Sequence, residues 1–162
     1  MNWDAVGAIA ELLGAIGVIG SLIYVASQVR ASTVASKVES KLRLTQNMVD
    51  YGDLLISSPE LNKIMIDGRK SIETLSKSEY LQFSNLALKA CWYLSSGLFM
   101  YQQTSISDDD WHELRTIATY WCASRGFQEW WVTRGRLSFT GKFAAFIDQE
   151  IEIANDAGML NT

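Results

Sequence analysis

The strongest pattern along the chain is a block of apolar residues with almost no polar interruption. From Ala5 to Ser27 it reads AVGAIAELLGAIGVIGSLIYVAS, and Glu11 is its one ionisable side chain. At a helical rise of about 1.5 Å per residue such a block covers roughly 30 Å, the thickness of a hydrocarbon core. Trp3 precedes it and Tyr24 lies near its far end, where amphipathic rings suit the headgroup level. The pattern predicts a transmembrane helix over 1–28. Two other accounts compete: a glycine-rich helix buried in a soluble protein, and a signal peptide. The second would place positive charge before the apolar run, whereas only Asp4 stands there, and Val25 and Ser27 make a weak cleavage context.

Placed on alternating steps of three and four, the first helix puts Gly7, Ala10, Gly14, Gly17 and Ser21 in one register. All are small, which allows membrane helices to approach closely and gain van der Waals contact. The same register continues through Tyr24, Gln28, Ala31, Ala35, Val38, Leu42, Thr45 and Val49, turning apolar again beyond the span. One uninterrupted helix from about Asp4 to about Tyr51, on the order of 70 Å long, would carry this seam and associate with copies of itself along a left-handed stripe. In the competing account Val38, Leu42 and Val49 pack on later helices of their own chain.

Downstream, the pattern is that of short amphipathic helices. Ser58-Pro59-Glu60 caps and starts one that runs toward Asp67-Gly68. Ser76 with Glu79 forms a capping box before a long apolar run, Tyr80 to Gln103, which reads as the core helix, with Leu81, Leu88, Trp92 and Phe99 on helical spacing; Lys89, Gln82, Ser84 and Asn85 make it too polar for a second span. Ser107 with Asp110 opens a further helix carrying Trp111, Leu114, Ile117, Ala118 and Trp121 inward, the acids 108–110 complementing its dipole. Gly126 interrupts the pattern, a short helix holds Phe127, Trp130 and Trp131, and Gly135 ends it. A last helix from about Thr140 to Asp156 places Phe143, Phe146, Ile147 and Ile151 on one face, and the terminal Ala157–Thr162 should fray. The fold class is therefore all-α: a transmembrane helix (1–28) continuing into a helical stalk (29–57), followed by a small cytoplasmic helical bundle (58–162).

Composition and charge narrow the function. One proline, 48% hydrophobic residues and 11 glycines in 162 residues argue against disorder. The net charge of −4 offers no footprint for nucleic acid. Cys91 and Cys122, 31 residues apart with no CxxC or Cys/His cluster, read as two reduced thiols rather than a metal or redox site. Arg30, Lys37, Lys41 and Arg43 follow the span, against Glu39 alone, and no Lys or Arg precedes it; the body is expected on the cytoplasmic side.

Candidate chemistry is sparse. The single histidine, His112, lies in WHEL, where Thr116 stands in place of the second histidine of a zinc motif, and Thr140-Gly141-Lys142 lacks the rest of a phosphate loop. No catalytic group, metal site or cofactor is expected, and no enzyme. Glu11 is the residue that demands a reason, because a carboxylate in a span is costly unless protonated, paired or facing water. It flanks the seam, so a ring of copies would line a cation or proton path; alternatively it pairs with a basic group on a partner, or reaches the interface as a structural residue. Trp130 and Trp131 beside Arg134 and Arg136 form a candidate partner surface, with one tryptophan in the core and the other at the rim as the simpler account. Two functions follow: a homo-oligomeric, channel-like membrane assembly with Glu11 near its path, or an anchored scaffold or accessory subunit that binds another membrane protein. Membrane lipid is a partner in both.

The residues Asn2, Trp3, Asp4, Gly7, Glu11, Gly14, Gln28 and Arg30 resemble the opening of a widespread group of bacterial membrane proteins of uncharacterised function. Trp130-Trp131, Arg134, Phe139, Phe143 and Asp148 resemble that group's C-terminal pattern of paired Trp followed by Phe and Asp. The likeness covers both ends of the chain and not the stretch from Ala31 to Ser107. It implies a single-pass protein of the bacterial inner membrane with a helical cytoplasmic body, and it implies no activity.

Overall fold

A computed structural model of the chain describes residues 3–139 and 141–159; the side chains of residues 3–6, 9 and 10 lie outside the described set, and with them the expectations for Trp3 and Ala10. The architecture is all-α, with no strand among the described residues. Six helices follow in order: α1 (Trp3–Ser57), α2 (Pro59–Lys70), α3 (Lys77–Gln102), α4 (Asp108–Cys122), α5 (Arg125–Thr133) and α6 (Gly141–Asp156), with single 3-10 turns at Ile72–Thr74 and Gly135–Ser138. The chain divides into two compact units, Met1–Glu39 and Ser40–Thr162.

The first unit is helix alone. The stretch of α1 from Glu11 onward holds an 18-residue window of mean hydropathy 1.9, none of it buried, and α1 is the one helix among the described residues long and apolar enough to cross a membrane. Its hydroxyls are satisfied locally: Ser21 Oγ donates to the Val18 carbonyl at 2.8 Å and Ser27 Oγ to that of Tyr24 at 2.7 Å. Gln28 donates its amide to the Tyr24 phenol at 2.9 Å. Such internal pairing is what a helix needs where water is absent.

The second unit begins inside α1, which moves the expected stalk boundary. Residues 40–57 are part of the body: Leu44 is buried against Ile106 and Leu114, and Lys41 pairs with Asp110. Tyr51, Leu54 and Leu55 pack on the main core, which carries the helix past Tyr51 to Ser57. It stops there because Pro59 offers no N–H and holds Ser58 extended. Ser58 then accepts from the Leu61 amide at 3.3 Å and caps α2.

Both expected capping boxes are closed in each direction, Ser76 with Glu79 and Ser107 with Asp110. The core between these helices is aromatic. Phe83, Phe127 and Trp130 are fully buried, and Phe127 stacks between Trp121, Trp130 and Trp131 with centroids 5.5 to 6.2 Å apart. Gly126 does not interrupt a helix but lies within α5, where a Cβ would sit 1.8 Å from the Gly68 carbonyl oxygen. Helices α2 and α5 therefore cross glycine on glycine. The end of α6 does not fray through Met159: Gly158 at φ +63° closes a Schellman turn, with Met159 N–H to the Ala154 carbonyl and Gly158 N–H to that of Asn155. Residues 160–162 lie outside the described set.

Candidate functional site

In the first unit the glycines of the small-residue register, Gly7, Gly14 and Gly17, are open, and so is Gly20 outside that register. A Cβ added at Gly7, Gly14, Gly17 or Gly20 would meet nothing within 4 Å. Each glycine costs a helix roughly 1 kcal/mol relative to alanine, and no neighbour in the chain requires that cost. Ser21 and Val38 in the same register are exposed, and so is Glu11, which shares a helix face with Gly7 and Gly14 at spacings of four and three.

In the second unit the register meets a real test, because later helices are there to cover it. They do not. Leu42 is 63% exposed and Val49 49%, while Leu44, on another face of the same turns, is buried. The account in which Leu42 and Val49 pack on their own chain's later helices is removed. Ile56, seven residues beyond Val49, continues the register at 81% exposure.

The tryptophan pair is not a partner surface. Trp130 is 0% exposed and Trp131 1%. Adjacent helix positions point about 100° apart, yet α5 is walled on two sides. Trp130 donates its indole N–H to Ser84 Oγ on α3 at 2.9 Å, and Trp131 donates its own to Asp148 on α6 at 2.9 Å. Trp131 also stacks on Phe139, centroids 5.9 Å apart. Arg134 is exposed but separate from them, and Arg136 is tied to Asp148 at 2.9 Å.

Other polar groups hold the body together. Glu150, 1% exposed, accepts from Arg115 Nε at 2.7 Å and Thr119 Oγ1 at 3.1 Å, pinning α6 to α4. Glu129 accepts from Ser71 Oγ, the Ile72 amide and Arg125 Nε, fastening α5 to the end of α2. Arg69 lies 3.6 Å over the Tyr120 ring and donates to the Tyr120 carbonyl at 2.8 Å, in the last turn of α4. Hydrogen bonds from the Lys41 ammonium and then from the Ser107 hydroxyl and amide hold the Asp110 carboxyl down at about 2. Ser107 with Asp110 was signalled by its spacing; the pairs Lys41–Asp110, Arg69–Tyr120, Arg115–Glu150 and Ser71–Glu129 were not, because each joins elements far apart along the chain.

Burial pushes the free thiols of Cys91 and Cys122 well above the ordinary value, which keeps them protonated and unreactive. His112 is exposed on α4. Among the described residues no three His, Cys, Asp or Glu side chains converge on a metal position. A cleft of about 690 Å³ in the body is apolar and aromatic, with Tyr51, Trp92, Tyr93 and Trp121 among its walls and Asp50 and Lys89 as its charged groups. No family model, curated protein or solved structure matches this chain.

Proposed function

We propose that the protein is a homo-oligomeric, single-span membrane protein of the bacterial inner membrane, assembled along the small-residue face of α1, with Glu11 beside the seam near a cation or proton path. The observation that carries this reading is that the three glycines of that register, Gly7, Gly14 and Gly17, lie in a helix whose own chain leaves them open. Close approach of a second helix supplies the missing reason, since small residues let backbones meet where lipid removes the hydrophobic drive. The exposed Leu42, Val49 and Ile56 extend the same stripe where the helix leaves the membrane. The flanking Arg30, Lys37, Lys41 and Arg43 set the body on the cytoplasmic side.

In such an assembly several Glu11 carboxyls converge in a medium of low dielectric, where each is costly unless it binds a proton or a cation. Reconstituted vesicles test the path. Wild-type protein should pass protons or monovalent cations down a gradient, and Glu11→Gln should abolish the flux while leaving the particle mass unchanged. Absence of flux in the wild type removes the path and leaves the scaffold reading, which then rests on Glu11 alone because its tryptophan surface is buried.

A further inference from the structure

The sequence pattern reads α3 as a core helix, but only one side of it is in the core. Phe83, Leu86, Ala87, Ala90, Leu94 and Gly97 face inward. On the opposite side Leu81 is 55% exposed, Trp92 59% and Phe99 63%. At 100° per residue these three fall within about 20° of one another, a straight stripe about 27 Å long.

A second segment lies along this stripe. Phe139 packs on the Trp92 ring with centroids 5.1 Å apart, and Lys142 Nζ donates to Gln102 Oε1 at 3.4 Å. Residues 134–139, with Lys142, thus lie against α3 and add Leu137, 84% exposed, to the apolar surface.

Charge on these two segments is one-sided. The chain as a whole has 18 acidic and 14 basic residues, yet no Asp or Glu occurs from 80 to 107 or from 130 to 147. Those stretches carry Lys89, Arg134, Arg136 and Lys142, all exposed. Four acids stand at the margins: Asp148 neutralises Arg136, Asp108 accepts from the Tyr101 hydroxyl, Glu79 is taken up by the Ser76 capping box, and Glu129 accepts from Ser71, Ile72 and Arg125. Lys89, Arg134 and Lys142 remain as a basic border to an aromatic stripe.

We propose that this face, the outward side of α3 with residues 134–139 and Lys142, docks on an anionic lipid surface. Tryptophan and aliphatic side chains ringed by Lys and Arg suit the headgroup region, where rings settle at the interface and cations meet lipid phosphates. A second copy of the chain is the rival occupant. A two-fold contact would set this basic border against itself, which charge disfavours. The inference draws on the anchored reading above only for proximity, since a tethered body meets the bilayer at high effective concentration.

The test uses the full chain reconstituted in phosphatidylcholine vesicles with and without phosphatidylglycerol, the acyl chains brominated to quench tryptophan at the interface. Adding phosphatidylglycerol should increase quenching of the wild type. That increment should be lost in Trp92→Phe, in the triple variant Lys89→Gln, Arg134→Gln, Lys142→Gln, and in high salt. Near-ultraviolet circular dichroism of each variant must match the wild type, so that loss reports the surface and not unfolding. An increment that survives in Trp92→Phe overturns the proposal. So does equal shielding of Trp92 from acrylamide in detergent and in vesicles, which means that protein covers it. Alkaline carbonate extraction reads the span separately: a chain that is extracted yet keeps the lipid-dependent increment sinks the anchored reading and supports this one.

Discussion

Glycine does opposite work in the two units. In the body, Gly68, Gly97, Gly126 and Gly135 each sit where a Cβ would collide with their own chain: the Phe83 ring, the Leu114 side chain, the Gly68 carbonyl and the Trp130 indole. In the first unit Gly7, Gly14, Gly17 and Gly20 face open space. Those four glycines of the body are explained by contacts inside one copy and Gly141 and Gly158 by a left-handed φ of +63°, whereas Gly52, in the body's part of α1, faces open space as the span's glycines do, and these have no explanation inside one copy. The same residue therefore marks finished packing in one region and an unfilled surface in the other.

Substitutions that add a single carbon separate the two cases most sharply. Gly126→Ala forces a methyl into a backbone oxygen that cannot rotate away, and should destabilise the body by about 3 kcal/mol or more, read by denaturant unfolding of the detergent-solubilised protein. Gly14→Ala in the same assay should leave the body's midpoint unchanged. A loss at Gly14 comparable to that at Gly126 would erase the distinction between the units.

Within the body, residues 40–57 are held partly by charge, which gives its stability a pH dependence. Asp110, held at about 2 in the fold, stabilises it above the ordinary carboxylate pKa of about 4. That contribution is lost as pH falls from about 4 through 2, because the folded state must then take up a proton it disfavours. Asp110→Asn, which also weakens the α4 cap, should cost about 1 kcal/mol at neutral pH, with variant and wild type converging near pH 2. A constant difference across that range would show that Lys41 and Asp110 do not fasten residues 40–57 to the body.

The smallest effect lies where the body lacks a glycine. Thr104, at φ +54°, closes the turn after α3, its amide donating to the Tyr101 carbonyl and that of Ser105 to Met100. A threonine is disfavoured in that left-handed region. Thr104→Gly should raise stability by roughly 0.5–1 kcal/mol, measured as a higher denaturation midpoint.

Features governed by neighbours in sequence were legible without coordinates. Ser58-Pro59, Ser76 with Glu79 and Ser107 with Asp110 start helices where their spacing says, because a cap is satisfied within one turn. The apolar length of the first helix was legible for the same reason. Features set by distant partners were not. Lys41 and Leu44 join the body through Asp110, Ile106 and Leu114, more than sixty residues away along the chain, so nothing local marks where the free part of α1 ends. Both tryptophans of the pair are buried because α3 and α6 wall α5 on two sides, which its own periodicity does not encode. In α3, the helical spacing of Leu81, Trp92 and Phe99 reads as a core stripe, yet these three lie outside while Phe83, Ala87, Ala90 and Leu94 are buried, because a run apolar on both sides does not say which side the other helices cover.

The central claim is that the open glycines of α1 face copies of the same helix. Native mass spectrometry of the full-length protein in mild detergent tests it most directly, with wild type and the double variant Gly14→Leu, Gly17→Leu run side by side. The account predicts a defined oligomer for the wild type and a smaller particle for the variant, with the body's denaturation midpoint unaltered. A monomeric wild type, or an oligomer indifferent to both leucines, would contradict it.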